Sequence, residues 1–300
     1  MTLNTVHLID LNYHSVPQAI GVFALPHPTG VTLVECGPAS ALDGLQVGLG
    51  KLGYSFRDVT DVLVTHIHLD HAGASGYLAQ SYGARIHVHP LGAPHLANPE
   101  KLLSSASRIY GDRMDYLWGQ VLPVPEERLS VLQDGQVVRI GDLSIRAIDT
   151  PGHANHHMTY LYDGVCFSGD FGGVRLGGLK QVRLPLVPPE LNLVVWRESL
   201  KKLAQERFQY IAPTHFGIFS DPAWHLEAVR LFLDGVEAWL EGIMPSSPSI
   251  EQLRLEYVRW LEGFSVSAGL DASLHPAEEA ANPSFMAADG LYRYWVKYRG

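Results

Sequence analysis

Three histidines and one aspartate fall within six positions of this 300-residue chain, in the stretch VTHIHLDHAG at residues 64–73. Imidazole and carboxylate are donor types that suit zinc, manganese and iron, and neither needs a thiolate beside it. Four such groups together are costly to desolvate unless something pairs with them. The cluster is therefore either a solvated surface loop or one half of a metal cage. His66 and His68, two apart on an extended segment, point to the same side, and Asp70 and His71 reach a neighbouring position once the chain turns into a helix. Three further polar groups close apolar runs: His153 in DTPGHANHH, Asp170 in CFSGDF and His215 in IAPTHFG.

Those positions make chemical sense only if the runs before them are strands. From Val6 to Glu35 the pattern is short, β-rich and broken by Pro and Gly, which predicts a meander of antiparallel strands. Residues 39–52 carry Leu42, Leu45, Leu49 and Leu52 at helical spacing. DVLVTH then reads as a buried strand, residues 72–82 as a helix and ARIHVHP as the next strand. That is a βαβ unit with the polar cluster at the carboxyl end of its first strand, the usual position for a site. Residues 91–128 read as mixed helix and loop. A second β-rich run is expected from Leu129, with hairpin signals at Asp134-Gly135 and Asp163-Gly164. Residues 191–208 read as helix, FQYIAPTH as a last strand, and two stripes at helical spacing follow: Val229, Phe232, Val236, Trp239, Ile243, and then Ile250, Leu253, Tyr257, Trp260, Phe264.

Composition narrows the partners. With 46% hydrophobic and 18% charged residues the chain is globular rather than disordered. Its 31 Asp and Glu outnumber 22 Lys and Arg, giving a net charge of −9. That balance argues against nucleic acid, whose phosphates need a basic face, and leaves a small-molecule substrate. No run approaches the ~18 apolar residues of a membrane span, and the N-terminal residues lack the pattern of a signal peptide. Cys36 and Cys166, the only two cysteines, sit in apolar strand-like surroundings and read as free buried thiols. A cytoplasmic setting is the expectation.

The ordered set His66-x-His68-x-Asp70-His71, then His153, Asp170 and His215, resembles the metallo-β-lactamase superfamily across about residues 5–220. The resemblance implies an α+β fold, an αββα sandwich of two sheets between helical layers. It further implies that His66, His68 and His153 bind one metal, that Asp70, His71 and His215 bind a second, and that Asp170 bridges them. Two divalent ions are expected, zinc first, with manganese or iron as alternatives. Cations in such a site lower the pKa of bound water from 15.7 towards ~7 and so provide a hydroxide; with one metal only, Asp70 becomes free to orient or deprotonate the water. Residues 1–220 form the catalytic domain in this reading, and residues 221–300 a C-terminal helical extension packed on the core.

Within the superfamily the resemblance is to small-substrate hydrolases of the glyoxalase II type, which predicts a small ester, thioester or lactone substrate. A phosphodiester hydrolase and a mononuclear iron persulfide dioxygenase share nearly the same motif and stay as alternatives. So does a metal-binding protein without turnover, which would gain nothing from an open water position. Glu35, where the family usually carries an aspartate before a glycine, is either a support for the metal loop or an ordinary turn carboxylate. His156 and His157 either lie behind the metal ligands or cap a strand. His87, His89, His95, His225 and His275 read as structural or solvated, and Arg175 as a surface arginine, with contact to an anionic substrate as the alternative. The Gly- and Pro-rich stretch 172–190 is expected to cover the site.

Overall fold

The computed structural model describes residues 5–177, 180–267 and 275–299. Two compact units result: Met1–Asp149 with His156–Asp163, and Thr150–Asn155 with Gly164–Gly300. The side chain of His275 lies outside the described residues.

The first unit is built on a six-stranded sheet, β1 (His7–Asp10), β2 (Gly21–His27), β3 (Gly30–Val34), β4 (Val59–Leu63), β5 (Arg85–Val88) and β6 (Leu129–Val131), in that spatial order. β1, β2 and β3 form the expected antiparallel meander, while β3 to β6 run parallel. Val22 to Leu25 and Val31 to Val34 are shielded on both faces, as near-continuous apolar strands require. β6 is a correction to the sequence reading: it does not open the second β-rich run but pairs with β5 and completes the first sheet. Asp134-Gly135 consequently joins two different sheets. The hairpin turn between β7 (Val137–Ile140) and β8 (Leu143–Asp149) is Gly141-Asp142, and β9 (Met158–Tyr162) extends that ribbon antiparallel.

Helix α1 (Leu42–Lys51) buries Leu45 and Leu49, four residues apart on one face. The helix predicted over 72–82 is two: α2 (Leu69–Ala72) and α3 (Ser75–Tyr82). The break has a physical cause. Ala74 N–H turns away from the helix to bond Gly37 O at 2.9 Å, and at Gly73 a Cβ would come within 2.4 Å of Leu69 O and 3.0 Å of Pro38 Cα. Helices α4 (Ala93–Ala97), α5 (Glu100–Tyr110) and α6 (Met114–Trp118) fill the segment before β6, and Ala106 and Trp118 seat the side chain of Leu69.

In the second unit β10 (Val165–Phe167) pairs in parallel with β11 (Tyr210–Ala212). Between them α7 (Leu193–Leu203) starts at Asn192, whose side chain accepts from Val194 N–H and Val195 N–H. α8 (Pro222–Ile243) packs on α7 and β11. Its predicted stripe buries Val229, Phe232 and Val236 fully, while Trp239 and Ile243 are half-buried. α9 (Ile250–Ser267) brings Trp260 to 5.3 Å from the Phe232 ring, and α10 (His275–Ala281) and α11 (Ser284–Tyr298) follow, α11 packing on α9. Among the described residues no helix is long and apolar enough to cross a membrane. Both cysteines are free and buried; burial pushes the Cys36 thiol up to about 12 and raises Cys166 as well.

Candidate metal centre

In the first unit β4 ends at Leu63, and the next residues pass under β9 before α2 begins. Met158 N–H donates to Thr65 O at 2.7 Å, and the Tyr160 hydroxyl donates to Val64 O at 2.8 Å. The polar cluster thus hangs from a fixed backbone, and it is not a solvated loop: His66 and His71 are wholly buried.

Glu35 organises this half. It is fully buried, with φ of 67°, and its carboxylate accepts from Thr65 N–H (3.1 Å), the Thr65 hydroxyl (2.5 Å) and His71 Nδ1 (3.0 Å). Because the Thr65 hydroxyl spends its proton on Glu35, its oxygen accepts from His66 Nδ1 at 3.0 Å. One carboxylate therefore sets the tautomer of two imidazoles, His71 directly and His66 through Thr65, and each is left with Nε2 as a lone-pair donor. This is the arrangement expected behind metal-bound histidines, whose second nitrogen donates to a carboxylate or another oxygen. His66 Nε2 lies 2.9 Å from His68 Nδ1, and His71 Nε2 lies 3.5 Å from Asp70 Oδ2. His156 accepts from Ile67 N–H at 3.5 Å and lies parallel to His66 at 6.1 Å, while the His157 ring is 5.1 Å from His66. Both rings thus lie against His66.

The second unit brings together the other three predicted residues. His153 follows the Pro-Gly turn, Asp170 sits in the short helical turn after β10, and His215 lies just past β11. All three are buried. His153 Nδ1 donates to Pro185 O at 2.7 Å, again leaving Nε2 as the donor atom. Asp170 presents Oδ2 to His153 Nε2 at 3.2 Å and Oδ1 to His215 Nε2 at 3.3 Å. The turn carrying Asp170 is braced by His225, whose Nε2–H donates to Gly172 O at 2.7 Å. Burial, and then the neighbouring Arg175 guanidinium, lower His225 to about 4, so this ring stays neutral.

The donor spacing tests whether these residues fit a cation. Two ligand atoms on one tetrahedral ion at ~2.0–2.1 Å stand about 3.3–3.4 Å apart. The separations of 3.2, 3.3 and 3.5 Å from carboxylate to imidazole match that edge better than they match a hydrogen bond near 2.9 Å, whereas His66 Nε2 and His68 Nδ1, 2.9 Å apart, stand at hydrogen-bond distance. Imidazole with carboxylate, and no thiolate, suits zinc, manganese or iron. The residues fit a divalent ion.

Other expectations fared differently. Arg175 is not a surface arginine: it is buried, forks onto Asp221 at 2.6 and 3.0 Å, and lies over the Phe219 and Trp224 rings. His87 bonds Asp61 at 2.8 Å and His89 lies 3.2 Å from Asp149, both structural as expected. The stretch 172–190 is no loose flap, for Val174, Leu176, Val182, Leu184 and Leu186 are all buried. Thr65 and Pro185 are contributors that the sequence pattern did not point to, while His225 is structural, one of the two readings given for it. Thr65 alone carried a signal, a hydroxyl directly before the first histidine.

Residues 17–215 match the model of the metallo-β-lactamase superfamily. A metallo-β-lactamase fold-containing protein of Sulfurisphaera tokodaii is 31% identical over 73% of this chain and 81% of its own. A hydroxyacylglutathione hydrolase of Rhodopseudomonas palustris is 35% identical over 88% of this chain and 84% of its own. Among solved structures, a metallo-β-lactamase family protein of Thermus thermophilus aligns with a TM-score of 0.69 at 21% identity, covering 98% of this chain and 93% of its own, a likeness of fold. The chain belongs to the metallo-β-lactamase superfamily. It is a metallo-hydrolase with that superfamily's α+β sandwich and added C-terminal helices.

Proposed function

We propose that this hydrolase cleaves a small thioester, ester or lactone with the help of two divalent cations, zinc foremost. In this reading His66, His68 and His153 would hold one ion, Asp70, His71 and His215 would hold the other, and Asp170, grouped with the first set, would serve both. The observation that carries the reading is Asp170, which turns one oxygen to His153 and the other to His215 at the ligand–ligand spacing of a metal site. Glu35 adds support, because it orients one imidazole of each proposed set.

When bound, the cations would supply Lewis acidity, which lowers the pKa of water towards ~7 and stabilises negative charge on the attacked group. The chain supplies the rest. Asp70, with 22% of its side chain exposed, is the most open of these carboxylates; it is assigned to the second ion, and with one ion only it would be free to orient the attacking water and accept its proton. Glu35 and Pro185 O hold the ring protons of His71 and His153 away from the donor atoms. The thioester class draws on the Rhodopseudomonas palustris relative, and the net charge of −9 disfavours a polyanionic phosphodiester. We assign catalysis to residues 1–220 and support to residues 221–300. A small-molecule substrate, no nucleic-acid or membrane partner, and a cytoplasmic setting complete the proposal; the two free thiols favour the last.

The test is elemental analysis of purified protein together with a panel of a hydroxyacylglutathione thioester, a lactone, a phosphodiester and a persulfide. Two equivalents of zinc or manganese with thioester or lactone turnover is the expected result. One equivalent of iron with oxygen consumption on the persulfide would replace this reading by the dioxygenase.

A further inference from the structure

The stretch GGVRLGGLKQVRLPLVPPE follows Asp170 directly, and its second half joins two things that lie far apart in sequence. Pro185 O receives the Nδ1 proton of His153 at 2.7 Å. Two residues earlier, Arg183 exchanges both backbone hydrogen bonds with Val174, and the neighbouring Arg175 N–H donates to His215 O at 2.6 Å. Residues 183–186 are thus a strap that holds the His153 imidazole directly and, through the paired Val174–Arg175 segment, the backbone of His215.

The other face of the strap is held by the end of the chain. Arg183 is 4% exposed, and its guanidinium donates to Glu278 at 2.9 Å and to Asn282 O at 3.4 Å. Asn282 Nδ2 donates to Leu184 O at 3.2 Å. On α11, Gly290 lies so close that a Cβ there would come within 1.9 Å of Leu186 O. A buried ion pair contributes little to stability compared with well-packed apolar groups of the same volume, and its best-attested use is to fix one arrangement over others. Here the arrangement fixed is that of the carbonyl holding His153.

We infer that Arg183, Glu278 and Gly290 are positioning residues for His153 and His215, so that α10 and α11 act on the metal site through the strap. The inference rests on the metal reading above. It predicts a definite pattern in the full-length protein. Glu278→Gln and Gly290→Ala should keep the far-ultraviolet circular dichroism of the parent yet weaken zinc binding, measured by chelator competition, roughly 10–100-fold, the usual effect of disturbing a ligand's hydrogen-bond partner. The visible spectrum of the cobalt(II)-substituted protein should change as well, while Arg230→Gln on the exposed face of α8 leaves both unchanged.

Nitrogen-15 NMR of the histidine rings in metal-free protein separates the two levels of the argument. In the parent His153 should show a protonated Nδ1 in a strong hydrogen bond, and both variants should weaken or lose it. If the parent takes up no divalent ion, the metal reading falls whatever the rings show. If the variants keep the parent's His153 ring signals and zinc affinity, the strap has no positioning role. Should either single variant fail to fold, Arg183→Met combined with Glu278→Leu replaces the ion pair by apolar groups of similar size, and the same two readouts decide.

Discussion

Glu35 and His71 are 36 residues apart in sequence, yet the carboxylate accepts the imidazole Nδ1 proton at 3.0 Å with both side chains wholly shielded from solvent. The same carboxylate, through Thr65, also governs His66. Glu35→Gln keeps the shape but replaces one acceptor oxygen by a donor, which cannot serve Thr65 and His71 together. Zinc affinity should fall by about 10–100-fold. Glu35→Ala should in addition lower stability by about 2–3 kcal/mol, since buried donors lose their acceptor. Chelator competition and urea unfolding measure the two effects, and a Glu35→Gln protein with parental affinity would remove Glu35 from the site.

Asp170→Ala removes the group proposed to serve both ions. Metal content after dialysis should drop at both positions and hydrolysis should cease, whereas His71→Ala should empty chiefly the second position. Elemental analysis distinguishes them. Equal residual metal in the two variants would contradict the bridging role.

His225 gives a pH dependence with a definite sign. The folded protein holds this ring at about 4, below the ordinary 6.5, so the unfolded chain takes up the proton first as pH falls. The contribution of His225 to stability is complete above pH ~6.5 and is lost progressively towards pH 4, by about 3 kcal/mol in all. The charged groups beside it, Arg175 and Asp221, form a pair whose hydrogen bonds, from Arg175 foremost, hold the Asp221 carboxyl well below the usual range, so it does not titrate in that window. Urea unfolding of metal-free parent and His225→Phe should give a stability difference that shrinks between pH 7 and pH 5. A constant difference would mean the ring is not held neutral.

The two thiols should be silent in the native state. Cys36 and Cys166 are buried and raised by that burial, Cys36 to about 12, so little thiolate forms at pH 8. Mass spectrometry after iodoacetamide should find no label on folded protein and two labels after denaturation. Rapid labelling of either cysteine in the native protein would contradict that burial.

The candidate ligands were legible because four crowd into one short stretch and the other three follow strand-like runs, where polar groups stand out from their neighbours. What supports them was not. Glu35 reads equally well as a turn carboxylate, since nothing local reveals that Thr65, thirty residues on, will meet it. Leu129–Val131 has the pattern of a strand but carries no mark of its partner, and it joined β5 instead of the strands after it. Arg175 looked solvent-bound because its acceptor, Asp221, comes 46 residues later. In each case the deciding partner was distant in sequence.

The division of the chain has a consequence for its biosynthesis. Residues 150–155 belong to one unit and residues 156–163 return to the other, so neither unit is a continuous stretch. The piece of the first unit that follows residue 149 is His156–Asp163, which contains β9. It supplies the register partners of β8 and the two hydrogen bonds that hold Val64 and Thr65. A ribosome that has released residues 1–149 has therefore delivered His66, His68, Asp70 and His71, but not the strand that fixes the backbone beneath them. At ~5–20 residues per second the gap closes within a few seconds. Until then the loop is held from one side, by Glu35 and His87, and a nascent chain stalled there should be more open to protease at residues 64–68 than the finished protein.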